Sequence, residues 1–141
     1  MAQTPRVFFN ASVILSGLNS PTGGSAKLLL WVKQKKIKGI ISQIILEEVI
    51  HRAPKLGLKS NAVELQVQSI FKFILPPPKA VTTSLYKEIT LDPGDAHVLA
   101  SCHETSCQFL VSLDQKHILS LKHKTLPFHV VSPGELIKQL S

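Results

Sequence analysis

Short apolar runs that recur between stretches of helical spacing constrain this chain more than any other feature. Val7-Phe8-Phe9, Gly39-Ile40-Ile41, Phe71 to Leu75, Phe109-Leu110-Val111 and Phe128 to Val131 read as buried strands. Between the strands lie segments with helix signals. Ala11 to Leu18 turns helical after the first strand, and Ser25 is placed to N-cap a helix running through Ala26, Leu28, Trp31 and Val32. Ser42 caps a helix from Gln43 to His51, which Ala53-Pro54 stops, and Asn61 to Ile70 carries helical spacing at Val63, Val67 and Ile70. Asp92-Pro93 opens a helix through Cys102, a short helix starts at Gln115, and another spans Pro133 to Leu140. Only Lys79 to Thr90 shows no clear pattern. Strands alternating with helices, joined by right-handed crossovers, call for an α/β fold with helices on both sheet faces. The expected architecture is a three-layer α/β/α sandwich around a central, mainly parallel sheet of about five strands.

Length and composition fit that expectation. At 141 residues and 44% hydrophobic, the chain can fill one core, and residues 1–141 read as a single domain. No apolar run approaches the roughly 20 residues that cross a bilayer. Met1 to Arg6 carries no apolar signal core, which points to a cytoplasmic protein with no membrane association. Cys102 and Cys107 are too few for a disulfide framework and lack a second ligand pair for zinc, so reduced structural thiols are expected. The net charge of +7 favours a polyanionic partner through phosphate contacts and counterion release, and Lys33, Lys35, Lys36 and Lys38 cluster in sequence. A merely soluble basic protein carries the same charge. None of the six histidines forms an HExxH pair, and none is assigned to a site. The GxSxG nucleophile elbow is absent, and Gly23-Gly24 lacks the spacing of a phosphate-binding loop.

The acids are the informative residues. The chain's three aspartates, Asp92, Asp95 and Asp114, all fall at predicted strand ends or helix starts. In an open parallel sheet these positions share the edge where ligands bind. Asn10 follows the first strand, Glu48 lies on the helix after the second, Asp95 sits in a first helical turn, and Asp114 follows the fourth strand. All four can meet on that edge, and a hard divalent cation with oxygen ligands, Mg²⁺ or Mn²⁺, is the usual compensation for clustered carboxylates. Each residue alone also has an ordinary structural reading. Asp92 before Pro93 with Asp95 three residues on is helix-start chemistry, Glu48 beside Glu47 fits a solvated helix face, and Asp114 fits a cap.

Taken in order, Phe8-Phe9-Asn10-Ala11-Ser12-Val13-Ile14, Ser42 with Glu48, Asp92-Pro93-Gly94-Asp95-Ala96-His97 and Leu110-Val111-Ser112-Leu113-Asp114 resemble PIN domains. The likeness extends to Val130-Val131-Ser132-Pro133-Gly134-Glu135-Leu136. It implies an α/β/α sandwich and metal-dependent endoribonuclease chemistry, found in many toxins of toxin-antitoxin pairs. Carried over by position, the catalytic and metal-binding set is Asn10, Glu48, Asp95 and Asp114, with Ser12, Asp92 and Ser112 beside it. This sequence departs from the family pattern at Asn10, where an aspartate is usual. The formal ligand charge falls from minus four to minus three, and weaker metal binding is expected.

Two readings of other classes stand beside this one. The first is a non-catalytic RNA-binding module, motivated by Asn10 and the lysine cluster. The second is an interaction protein that pairs with itself as a homodimer, or with an antitoxin protein, through Ser25 to Val32 or Asn61 to Ile70. Trp31 and the runs around it read as packing rather than as a partner groove.

Overall fold

The computed structural model describes residues 3–141; Met1 and Ala2, the first residues of the N-terminal stretch considered above, lie outside them. Among the described residues, a five-stranded sheet runs in the order β3-β2-β1-β4-β5, with every neighbouring pair parallel. The strands are β1 (Arg6–Phe9), β2 (Lys38–Ser42), β3 (Phe73–Leu75), β4 (Phe109–Val111) and β5 (His129–Val131). Val7, Phe8 and Phe9 of the central strand are wholly buried, as a strand covered on both faces requires.

Seven α-helices among the described residues flank the sheet: α1 (Ala11–Asn19), α2 (Gly24–Lys33), α3 (Gln43–Arg52), α4 (Ser60–Ile70), α5 (Ala80–Lys87), α6 (Ala96–Glu104) and α7 (Pro133–Leu140). α1 packs on α2 and α3, α3 on α4, and α2 on α7, whereas α5 and α6 pack on each other. These two groups are the outer layers of an α/β/α sandwich. The chain steps from β1 to β2 to β3 in one direction, then crosses back so that β4 lies on the other side of β1. That reversal opens the edge crevice between β1 and β4 where the sequence places the acids.

Local chemistry explains most boundaries. The Ser42 hydroxyl accepts from the Ile45 amide at 3.2 Å and caps α3. Ser132 and Glu135 form a reciprocal capping box at the start of α7. Gly39 has no room for a side chain: a Cβ there would meet Val32 Cγ2 at 2.7 Å and Phe71 Cε1 at 2.9 Å.

Several boundaries differ from the sequence expectation. Ser25 does not cap α2, which begins at Gly24 with Gly23 as a cap that supplies no side-chain hydrogen bond. Ser25 is instead buried in the first turn, close against Gly17 of α1. Phe71 is not in β3; it caps the C-terminus of α4 and is buried, and the strand starts two residues later. Asp92-Pro93 opens a short 3₁₀ turn (Pro93–Asp95) before α6 rather than one continuous helix. After Asp114 the chain makes turns and then a 3₁₀ helix (Leu119–His123), not a helix from Gln115, because burial of Ile118, Leu119 and Leu121 dictates its path. Lys79 to Thr90, patternless in sequence, contains α5.

Candidate metal centre

The neighbouring parallel strands β1 and β4 deliver Asn10 and Asp114 to the site, and α3 and the 3₁₀ turn before α6 deliver Glu48 and Asp95. Asn10 directly follows β1, and its backbone amide donates to the Val111 carbonyl of β4 at 3.0 Å. Its Oδ1 accepts from the Ser12 amide at 3.2 Å, which caps α1, and lies 3.4 Å from the Ser12 hydroxyl. Ser12 Oγ in turn accepts from the Leu113 amide at 3.1 Å. Ser112, wholly buried, accepts from the Asp114 amide at 3.0 Å through its hydroxyl. The two serines thus pin the loop that carries Asp114 against the start of α1, and neither presents itself as a ligand.

Asp114 Oδ1 accepts from the His117 amide at 2.9 Å, folding the loop into a turn that returns the imidazole onto the same carboxylate. His117 Nδ1 lies 3.3 Å from Asp114 Oδ2 and 3.8 Å from Asp95 Oδ2. One donor atom from each of Asp95, Asp114 and His117 lies within 4.8 Å of the others. Asp95 Oδ2 is closed off from solvent and takes no hydrogen bond. Burial raises the Asp95 carboxyl above its usual range, Asp92, Asp114 and Glu48 raise it further, and His117 opposes them.

Asn10, Ser12, Glu48, Arg52, Asp95 and Asp114 line a cavity of about 260 Å³ beside this cluster. Glu48 projects from α3 and is held by Arg52 one turn on, at 2.9 Å. Asp92 does not line the cavity; its carboxylate accepts from the Gly94 amide at 2.9 Å and reaches Asp95 only through its charge. His97, on α6, is largely buried with Nδ1 unpartnered, and burial lowers its pKa while Glu48 works the other way.

Of the residues singled out in sequence, Asn10, Ser12, Glu48, Asp95 and Asp114 are therefore brought together, whereas Asp92 and Ser112 stand behind them. His117 and Arg52 went unrecognised. The sequence signals that could have found them are the three-residue step from Asp114 and the four-residue step from Glu48, both of which return a side chain to the same face of a turn or helix. The donor set fits a divalent cation: the Asp95 and Asp114 carboxylates converge with the His117 imidazole, Asp95 Oδ2 is buried without a hydrogen bond, and among the described residues the only other basic group paired with a carboxylate of this cavity is Arg52, on Glu48.

The sequence matches the family model of the PIN domain over residues 6–116. The chain belongs to the PIN-domain family. PIN domains are generally nucleases that use divalent metals. Solved structures with the same fold include PAE2754 from Pyrobaculum aerophilum, 19% identical, with a TM-score of 0.66 over 99% of this chain and 98% of that one. FitAB bound to an IR36 DNA fragment is 15% identical with a TM-score of 0.64, covering 90% of this chain and 94% of that one. FitAcB from Neisseria gonorrhoeae is 15% identical with a TM-score of 0.62, covering 91% and 98%. At these identities the likeness is one of fold. No curated protein matches the chain. No helix among the described residues is long and apolar enough to cross a membrane.

Proposed function

We propose that the chain is one PIN domain acting as a metal-dependent endoribonuclease, with an impaired cation site. The observation that carries the reading is the convergence of Asp95 Oδ2, buried and without a hydrogen bond, with Asp114 and His117 at the edge of a cavity that Glu48 and Asn10 also line. Asp95 and Asp114 would hold a Mg²⁺ or Mn²⁺ ion, with His117 offering a nitrogen donor. When bound, the ion supplies Lewis acidity at a phosphodiester and an acidified water. Glu48 lines the same cavity and, released from Arg52, would serve as a general base there, while the Arg52 guanidinium would offset phosphate charge. Hydrolysis would form a bond from water oxygen to phosphorus and break the P–O3′ bond, with the proton lost by the water taken up by Glu48 and the departing O3′ protonated from solvent, leaving a 5′ phosphate and a 3′ hydroxyl.

Asn10 weakens this site for a specific reason. Its Oδ1 is held by the α1 cap, so the amide offers its N–H donors rather than free lone pairs to a cation. His117 partly offsets the loss, and as an imidazole ligand it favours Mn²⁺ over Mg²⁺. An antitoxin partner and a cytoplasmic setting follow from the family's occurrence in toxin-antitoxin pairs, a reading supported by the fold shared with FitAB and FitAcB. The test compares Mn²⁺-dependent cleavage of a structured RNA by the parent, by Asn10→Asp, and by Asn10→Asp with Asp95→Ala. Cleavage gained with the first change and lost with the second supports the reading. No cleavage by any of the three, with salt-sensitive RNA binding retained, overturns it in favour of a binding module.

A further inference from the structure

A second cavity lies away from the acids. A space of about 720 Å³ opens at the amino ends of β2 and β3, at the opposite edge of the sheet from the metal centre. Val32, Ile37 and Ile70, all buried, and the half-exposed Phe73 supply its apolar wall. Lys33, Lys35, Lys38 and Lys72 surround it, and no carboxylate lines it. The ion pairs among the described residues involve none of these lysines.

The C-terminal ends of α2 and α4 account for Lys33 and Lys72, because a helix C-terminus favours cations. They do not account for Lys35. The amide of Lys36 donates to the Trp31 carbonyl at 2.9 Å and that of Lys35 to the Val32 carbonyl at 3.1 Å, so α2 ends in a Schellman motif. Lys35 occupies its left-handed position, with φ at 61°, where glycine is the unstrained choice. A cation therefore stands at the cavity mouth at a conformational cost. Lys38 places its Nζ 4.1 Å from the Phe73 ring centroid, so charge and apolar surface meet at one point.

Cavities of this size, mostly apolar with a few polar groups, take small molecules rather than a nucleic-acid strand. A nucleic-acid track needs successive free aromatic faces, and Phe73, the one aromatic in the lining, already carries Lys38. We propose that this cavity binds a small amphipathic carboxylate, its hydrocarbon body against Val32, Ile37, Ile70 and Phe73 and its head between Lys35, Lys38 and Lys72. The site is separate from the nuclease reading and does not depend on it.

The probe is decanoate below its micelle concentration, titrated into the full chain and followed by amide chemical shifts, with acetate and decyltrimethylammonium as head-only and opposite-charge controls. Decanoate is expected to saturate at one equivalent with shifts confined to residues 32–39 and 69–73, and neither control should saturate. Lys35→Gly is expected to raise the melting temperature by about 3 °C, as relief of a left-handed non-glycine does in a chain of this size. The same change should weaken decanoate about threefold, and adding Lys72→Gln about tenfold. The melting temperature shows that both variants fold. Failure of decanoate to saturate, equal binding by the cationic control, or undiminished affinity in the double variant overturns the proposal.

Discussion

Replacing Asn10 by aspartate should invert its effect on stability depending on whether metal is present. Without metal, the new carboxylate joins Asp95, Asp114 and Glu48 around one small cavity, where the Asp95 carboxyl is already raised by burial and by the carboxylates near it. Two unit charges about 6 Å apart at an effective permittivity of about 20 repel by roughly 3 kcal/mol, and the open cavity mouth reduces this severalfold. Part of the remainder is offset because a carboxylate caps α1 at least as well as the amide does and suits the helix N-terminus. A net loss of about 1 kcal/mol, or about 3 °C, follows in EDTA. With metal the second carboxylate oxygen is free of the cap, and a tenfold to hundredfold gain in Mn²⁺ affinity amounts to about 1.4–2.8 kcal/mol of added stabilisation. The assay is thermal unfolding of parent and variant in EDTA and in saturating Mn²⁺, with calorimetric titration of Mn²⁺ alongside. The variant should melt below the parent in EDTA and at or above it in Mn²⁺. Equal Mn²⁺-induced shifts in the two proteins would refute the reasoning, because they would mean that Asn10 does not face the cation.

Asp95→Asn tests the same electrostatics by pH. Because burial and nearby carboxylates raise the folded-state carboxyl, ionised Asp95 costs stability near neutrality, and that cost fades as pH falls through the raised value. In EDTA the variant should be more stable by up to about 1 kcal/mol at pH 7 and should converge with the parent at acid pH; constant separation across pH would contradict the assignment. Glu135 behaves oppositely. Lys122 and the Ser132 amide hold its carboxyl down to about 2, so its contribution is present above the ordinary carboxylate range and disappears as pH falls toward that value. Discounted for its exposure, Glu135→Gln should cost about 1 kcal/mol at pH 7 by urea unfolding, shrinking on acidification. Gly39→Ala drives a methyl into Val32 and Phe71 and should destabilise by about 1–3 kcal/mol, read from the urea midpoint at unchanged slope. Ser12→Ala removes the acceptor for the Leu113 amide, and it should weaken Mn²⁺ binding about tenfold while lowering stability by roughly 1 kcal/mol.

How much of this was legible in the chain varies with the range of the interaction. β4 and α7 were read to the residue and β1 to within one, because a buried triplet and a Ser-Pro capping start are local signals. The Ser42 cap was legible for the same reason, since donor and acceptor lie three residues apart. Ser25 misled because two glycines before it let α2 begin earlier than its own capping chemistry suggests. α5 was invisible, since its buried residues are Thr82 and Tyr86 rather than an apolar stripe.

The site divides along the same line. Alternating strands and helices determine by themselves that this is a parallel α/β protein with its acids at strand ends, because backbone hydrogen bonding and right-handed crossovers leave few other arrangements. Which side chains touch was decided only in three dimensions. The reversal in strand order sets β4 against β1 and so brings Asp114 to Asn10, and a turn of three residues folds His117 back onto Asp95 and Asp114. The lysine-rimmed cavity arises in the same way, where the ends of two helices and two strands meet. Sequence pattern records the preferences of neighbours along the chain, whereas a site is made by the distances between residues that are remote along it.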